Sequence, residues 1–321
     1  MKILSGIQPS GQLHIGNYFG MMLPMIRNME KGDLYAFIVN LHALTSLHDQ
    51  NKLSAGTLEA AADFIALGLD PDRCIFWVQG DVPEVTELTW ILSTLTSMGL
   101  LERCHSYKDK VAKGIAPSHG LFSYPVLMTA DILLYQAESV PVGRDQKQHL
   151  EVARDIGMRF NHVFGRTFVI PEPAIEESVA TVPGIDGQKM SKSYGNTIPI
   201  FLEGKQLKKQ VMAIQTDSTP VEEPKNPDAC NLYNIFKLFA PADRLAEIRK
   251  LYVGGGAAYG YIKQELVGLI GGYFKEARLK RAELLQDKEY LRKILADGAY
   301  KAREKAAPTL DLVRQRVGLK Y

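Results

Sequence analysis

The sequence has few cysteines and no long apolar run, and each shortage argues against a class of protein. Its three cysteines, Cys74, Cys104 and Cys230, form no C-x-x-C pair. We therefore expect no disulfide framework, no zinc site and no iron–sulfur cluster. No run reaches the roughly 18 apolar residues needed to cross a bilayer. The sequence thus predicts a cytoplasmic protein that does not span a membrane.

Net charge is also small, at +2 over 321 residues, but it is unevenly distributed. From Lys250 to Tyr321 there are 15 Lys and Arg against 8 Asp and Glu, a surplus of +7. This surplus fits a segment that meets a polyanion, and it fits equally well a solvated helical surface rich in lysine. With 46% hydrophobic residues the chain is long enough for two domains, or for one α/β domain with an appendage.

Neither a G-x-G-x-x-G fingerprint nor a Walker lysine loop is present. The apolar periodicity nevertheless alternates between strand and helix up to about residue 80. The predicted elements are a strand over 2–5, a buried helix over 15–29, a strand over LYAFIVNLHALT (34–45), a helix over 53–69 and a strand over RCIFWVQG (73–80). This order is typical of a doubly wound parallel sheet, and helical spacing dominates beyond about residue 200.

The turn after the first strand contains HIGN, with His14, Gly16 and Asn17 at the predicted helix start. Helix N-termini beyond the carboxyl ends of parallel strands bind phosphates, and a glycine lets a flat base approach the backbone. By itself, this pattern favours simple helix capping.

A second segment, KMSKS (189–193), places Lys189 and Lys192 three residues apart in a glycine-rich stretch. Such a segment can move and deliver two ammonium groups to a triphosphate when charge develops in the transition state. A lysine-bearing surface loop is the alternative for this motif alone.

The two motifs together resemble the signature motifs of the class I aminoacyl-tRNA synthetases. Further stretches resemble the tryptophanyl-tRNA synthetase family: SGIQPSGQLHIGNYFG (5–20), HALT (42–45), YPVLMTADILLY (124–135) and VPVGRDQKQHLEVARDI (140–156), with weaker similarity at TDS (216–218) and NLYNIF (231–236). The resemblance covers most of the chain.

This resemblance implies a fold and a reaction. The implied domains are a Rossmann-like α/β catalytic domain with a dimer-forming insertion (1–185), a mobile KMSKS loop (186–200), a helical anticodon-binding domain (201–285) and C-terminal helices that pack back on the catalytic domain (286–321). The implied enzyme is a homodimeric ligase that joins L-tryptophan to tRNA(Trp) through an adenylate. It uses ATP with Mg²⁺ and has neither zinc nor an iron–sulfur cluster.

The resemblance also assigns a tryptophan site. Asp131 lies on an apolar helical face with Tyr124 and Met128, where a carboxylate is costly unless it is paired. An aspartate that caps a helix or forms a core ion pair is the general alternative. In the family, this aspartate accepts the indole N–H. Implied partners in the site are Met128, Val140 and Val142 as walls, Tyr124 and Gln146 for the ammonium group, and Gly6 and His42 nearby. His42 and His149 are predicted to be supporting or core histidines and not catalysts.

The ATP site implied by the resemblance is larger. Its members are Gln8, Pro9, Ser10, His14, Gly16, Asn17, Gly143, Arg144, Asp145, Val182, Lys189, Met190, Ser191, Lys192 and Ser193. Gly143 and Asp145 are expected to hold the ribose, and the Val182 backbone to contact adenine. Lys189, Lys192 and Lys110 are the implied catalytic residues, and no general base is needed because the attacking carboxylate is already ionised.

Two other functions fit parts of the pattern. A tyrosyl-tRNA synthetase is one, since an aspartate also accepts a phenol O–H. A non-catalytic nucleic-acid-binding paralogue is the other. Damage to HIGN, KMSKS or Asp131 would mark such a paralogue, and all three are intact.

Overall fold

The structure, a computed structural model, describes residues 1–9, 11–104, 107–108, 118–141, 147–174 and 182–321. The chain forms two compact units that are each assembled from separate segments. Unit 1 consists of Met1–Gly11, Met25–Glu177 and Glu283–Tyr321, and unit 2 consists of Gln12–Pro24 and Ser178–Ala282.

Unit 1 contains a parallel sheet of five strands in the described part of the chain. They are β1 (Lys2–Ile7), β2 (Asp33–Ile38), β3 (Ile75–Val78), β4 (Ser139–Pro141) and β5 (Glu172–Ala174). The order is β3-β2-β1-β4-β5, and every neighbouring pair is parallel. The strand order therefore reverses direction next to β1, which is where such sheets bind ligands beyond their carboxyl ends. The predicted doubly wound α/β fold is confirmed.

Helices account for most of the remaining described chain. In order they are α1 (Ile15–Asn17), α2 (Leu23–Arg27), α3 (Asn40–Ala43), α4 (Gln50–Ala66), α5 (Glu84–Ser93), α6 (Met98–Glu102), α7 (His119–Leu134), α8 (Lys147–Phe164), α9 (Gly204–Met212), α10 (Asn231–Phe236), α11 (Ala242–Gly254), α12 (Tyr259–Tyr273), α13 (Lys275–Gln286) and α14 (Lys288–Val317). None of the helices in the described ranges is long and apolar enough to cross a bilayer.

Two predicted elements differ from the observed ones. The single helix predicted over 15–29 is broken by a π-helical turn at Tyr18–Met22. The Leu23 N–H bonds to the Tyr18 carbonyl, five residues back, and the next residue, Pro24, has no N–H with which to continue the α-helical ladder. The strand predicted over 34–45 ends at Ile38.

The shortening of that strand has a clear cause in hydrogen bonding. Beyond Ile38 the chain turns into α3, where the backbone N–H groups of Leu41 and His42 donate to the side-chain oxygen of Gln79, at 3.1 and 3.4 Å. These N–H groups are thus withdrawn from any neighbouring strand. The turn places His42 directly beyond the carboxyl end of β2.

The core of unit 1 lies between the sheet and its helices. It includes Phe37, Trp77 and Leu133, together with the buried face of α14. Helix α14 packs on β3 so closely that a Cβ atom on Gly298 would lie 1.7 Å from the Phe76 carbonyl oxygen. Ion pairs from Arg303 to Glu84 and from Arg314 to Glu87 link the same helix to α5.

Candidate active site

The carboxylate of Asp131 lies at the centre of a buried polar cluster in unit 1. Asp131 is on α7 and is only 3% exposed. The Gln79 side-chain amide donates to both of its oxygens, at 2.9 and 2.8 Å, and the His42 Nε2 atom lies 3.0 Å from Oδ2. These partners come from the segments that follow β3 and β2, so the strand ends bring the polar groups together.

Burial and hydrogen bonding act on Asp131 in opposite directions. Loss of solvent raises its pKa above the usual range, while the hydrogen bonds from His42 and Gln79 lower it. An ionised carboxylate offers about four acceptor positions. Among the residues that the structure describes, the three contacts above leave one position for a further donor, which matches a ligand that presents a single N–H or O–H.

A second polar pair extends the cluster along α7. The Tyr124 hydroxyl forms a short hydrogen bond with His149 Nε2 on α8. The Tyr124 ring also meets the His42 ring edge-on, with centroids 6.2 Å apart. The structure therefore groups Asp131, Tyr124 and His42, three residues that the sequence assigns to one site.

The predicted apolar neighbours are also in unit 1. Met128 is partly buried and packs against the core, and Val140 is buried in β4. Gly6 is exposed on β1, where an added Cβ would lie 3.0 Å from a methyl carbon of Val39. Of the predicted ATP ligands in this unit, Gln8 is exposed and Pro9 is buried.

Sequence reasoning missed Gln79, although it is 1% exposed and holds the Asp131 carboxylate. A faint signal was available, because Gln79 is the first polar residue after the apolar run IFWV of β3. Polar side chains at the carboxyl ends of parallel strands are frequent ligand contacts.

Unit 2 contains both signature motifs. His14 precedes α1, and its Nδ1 accepts the Asn17 backbone N–H at 3.2 Å, while Asn17 Oδ1 accepts the His14 N–H at 3.2 Å. Burial, and secondarily the charge of Lys192, lower the pKa of His14 from 6.5 to about 4. His14 is therefore neutral at pH 7 and carries its proton on Nε2, because Nδ1 acts as the acceptor.

The HIGN segment lies directly against the KMSKS segment. A Cβ on Gly16 would lie 3.1 Å from the Met190 Cβ, so glycine permits this close approach. Backbone hydrogen bonds of 3.0 Å from Ile15 N to Ile198 O and from Ile200 N to Leu13 O hold the HIGN segment in place. Two motifs that are far apart in sequence are thus brought together within one unit.

Within KMSKS the side chains divide between buried and exposed positions. Met190 is buried, and its N–H donates to the carbonyl of buried Val182 at 2.9 Å. Lys189, Lys192 and Ser193 are exposed, and the Ser191 and Ser193 hydroxyls are 2.8 Å apart. The segment thus anchors its methionine and presents its lysines to solvent.

The remaining predicted site residues lie outside the described residues: Ser10, Lys110, Val142, Gly143, Arg144, Asp145 and Gln146.

Comparison with known proteins decides the family. Residues 1–266 match the family model described as tRNA synthetases class I (W and Y). The chain belongs to this family. The family predicted from HIGN and KMSKS is therefore confirmed, and with it the prediction of an ATP-dependent ligase.

Individual class I synthetases resemble the chain over almost its full length. The tryptophan–tRNA ligase of Campylobacter jejuni is 53% identical over 319 residues, covering 99% of this chain and 100% of the relative. That of Rhodopirellula baltica is 50% identical over 320 residues, covering 100% of both. The crystal structure of the C. jejuni tryptophanyl-tRNA synthetase complexed with ADP and tryptophan superposes with a TM-score of 0.94 at 52% identity, covering 99% of this chain and 100% of the other.

Proposed function

We propose that this chain is a tryptophan–tRNA ligase that works in the cytoplasm. It activates L-tryptophan with ATP, giving tryptophanyl-adenylate and pyrophosphate, and then transfers the tryptophan to the 3′ end of tRNA(Trp). Identity of 50 to 53% to tryptophan–tRNA ligases over the whole chain supports this activity. The observation that carries the substrate assignment is the buried Asp131 carboxylate with one acceptor position left.

The indole N–H is the one polar group of a tryptophan side chain, and it fits that remaining position. We assign Asp131 as its acceptor, with Gln79 and His42 holding the carboxylate in place. Met128, Val140 and Val142 form the walls around the ring. Tyr124 and Gln146 bind the ammonium group.

In the first step, a carboxylate oxygen of tryptophan attacks the α-phosphorus of ATP, and the bond from that phosphorus to the pyrophosphate oxygen breaks. The nucleophile is already ionised, so the step needs no general base. Lys189, Lys192 and Lys110 stabilise the charge that develops on pyrophosphate, together with the Mg²⁺ that enters with ATP. In the second step, a hydroxyl of the terminal adenosine of the tRNA attacks the acyl carbon and AMP leaves.

The HIGN segment binds ATP in this proposal. Neutral His14 has its Nε2–H available as a donor for a phosphate oxygen, because its Nδ1 is engaged with Asn17. Gly16 leaves room for adenosine to approach the backbone. Gln8, Pro9, Ser10, Gly143, Arg144, Asp145 and the Val182 backbone complete the site.

We further propose that the enzyme is a homodimer whose 201–285 helices bind the anticodon. Trp90 on α5 and Met98 on α6 are 73% and 63% exposed. Large apolar side chains so close in sequence and so exposed support a protein interface in unit 1.

The deciding experiment is ATP–pyrophosphate exchange with each of the twenty amino acids. We expect exchange with tryptophan to exceed that with tyrosine or phenylalanine by several orders of magnitude. Preference for tyrosine would make the chain a tyrosyl-tRNA synthetase, and exchange with no amino acid would indicate a non-catalytic paralogue. Asp131→Asn, which replaces part of the acceptor with a donor, is the matched variant and should lose the tryptophan preference.

A further inference from the structure

The KMSKS segment has a defined internal structure in spite of its glycines. Backbone hydrogen bonds cross it from Met190 N to Val182 O at 2.9 Å and from Gly184 N to Gln188 O at 2.7 Å. Pro183 and Lys189 form an antiparallel bridge, and the Ile185 N–H donates to the Asn196 carbonyl at 2.9 Å. Lys189 therefore stands on a folded hairpin, and Lys192 begins the short 3-10 turn (Lys192–Tyr194) that follows it.

The Asn196 side chain fills the inside of this hairpin and is only 2% exposed. Its Oδ1 accepts the Ser191 N–H at 2.8 Å. Its Nδ2 donates to Asp186 Oδ1 at 2.8 Å and to the Lys189 carbonyl at 3.1 Å. Both amide hydrogens and the carbonyl oxygen are thus used, and two of the three bonds bracket Met190.

Neighbouring residues are fitted to this side chain. A Cβ on Gly184 would lie 2.3 Å from Asn196 Nδ2, so only glycine leaves space for the amide. Gly195 has a φ of +66°, which turns the chain so that Asn196 points back into the hairpin. Asp186 also accepts the Gln188 N–H at 3.0 Å, which ties the turn of the hairpin to the same network.

We propose that Asn196 is a positioning residue for amino-acid activation. It fixes the backbone from Lys189 to Ser191, so that Lys189 and Lys192 reach the leaving pyrophosphate as one preformed pair. Preorganised charge stabilises a transition state because it needs no reorganisation during the reaction. This proposal rests on the proposed function of the two lysines, but Asn196 itself touches no substrate.

The test compares two Asn196 variants and one control variant in tryptophan-dependent ATP–pyrophosphate exchange. Asn196→Ala removes all three bonds, and Asn196→Asp retains the shape and the acceptor but loses both donors. A misplacement of about 1 Å at a reacting group costs on the order of 10²-fold in rate. We therefore expect kcat for activation to fall about 10- to 100-fold in both variants, with less than about a threefold change in the KM for ATP.

Asn161→Ala is the matched control, because Asn161 also makes three side-chain hydrogen bonds, to Thr167 and Phe168, outside the KMSKS segment. It should lower thermal stability and leave kcat unchanged. Single-turnover transfer from preformed adenylate to tRNA should also be unchanged in the Asn196 variants, since pyrophosphate has already left. If Asn196→Asp folds and retains wild-type kcat, or raises only the KM for ATP, Asn196 is not a positioning residue. Wild-type enzyme without tryptophan-dependent exchange would instead refute the proposed function.

Discussion

Replacing Gly298 with alanine tests how far the packing of α14 supports the tryptophan site. The new Cβ would lie 1.7 Å from the Phe76 carbonyl oxygen, whereas ordinary contacts begin near 3.4 Å. The obstacle is a backbone atom of β3, which cannot rotate away as a flexible side chain could. Helix α14 must therefore move away from the sheet, although its ion pairs to Glu84 and Glu87 oppose this shift.

The size of the effect follows from two opposing contributions. Overpacking a core typically costs about 1 to 3 kcal/mol, and a backbone obstacle places Gly298→Ala near the upper end. Alanine regains about 1 kcal/mol of helix propensity relative to glycine. The net loss of about 2 kcal/mol should lower Tm by roughly 4 to 8 °C for a unit of this size.

A functional consequence should accompany the loss of stability. Gln79 follows β3 three residues after Phe76 and binds Asp131, so displacement of β3 should raise the KM for tryptophan more than the KM for ATP. Differential scanning calorimetry and pyrophosphate exchange measure the two effects. Gly268→Ala on α12 is the control: its Cβ would meet nothing within 4 Å, so it should stabilise the protein by up to about 1 kcal/mol. If Gly298→Ala is as stable as Gly268→Ala, the reasoning from this contact is wrong.

Four further predictions concern charge and the substrates. Lys192→Ala should lower kcat for activation by about 10² to 10³, with little change in the KM for ATP. A change in KM alone would mean that Lys192 binds ATP equally well in the ground state and in the transition state. Asp131→Ala should lose discrimination of tryptophan against phenylalanine, which we expect to be about 10⁴ to 10⁵ in kcat/KM, and unchanged selectivity would exclude the indole assignment. The contribution of His14 to the free energy of unfolding should be complete above pH 6.5 and decrease as the pH falls towards 4, because the unfolded chain protonates this imidazole first. His14→Asn should therefore make Tm less dependent on pH between about 4 and 6.5. Lys280→Glu should raise the KM for tRNA and weaken the salt dependence of tRNA charging, while the salt dependence of adenylate formation should not change. An unchanged KM for tRNA would mean that Lys280 belongs to a solvated surface that does not bind tRNA.

The parts of the fold that follow from the sequence are those with strong periodicity. The strands predicted over 2–5 and 73–80 contain residues of β1 and all of β3, and most of the helix predicted over 53–69 lies in α4. The break at Tyr18–Met22 has a signal in the sequence, because Gly20 and Pro24 both lie inside the helix predicted over 15–29 and both disfavour an unbroken α-helix.

The same contrast holds for the candidate site. Tyr124, Met128 and Asp131 could be grouped because they share one face of α7, a relation that depends on helical spacing alone. Gln79 has only the faint signal of its place after β3, and Asn196 has none, since their partners are distant in sequence or are backbone atoms. A single glutamine or asparagine in a loop has no periodic signal. The function of the basic surplus after residue 249 also does not follow from its charge alone. Arg281, for example, lies 4.7 Å over the ring of Phe201, so this cation has a contact within the protein.

The interleaving of the two units has a consequence for synthesis on the ribosome. The HIGN segment belongs to unit 2, which is complete only after Ala282 has been made. Within unit 1, Gly298 packs on β3, and this residue is made later still. Neither unit can therefore finish folding while the chain is being extended through its first half. Strands with unpaired edges and uncovered apolar faces are prone to aggregation, so the nascent chain exposes such surfaces until its last segments have been made. For the same reason, a single cut cannot separate the two units into independently folding fragments.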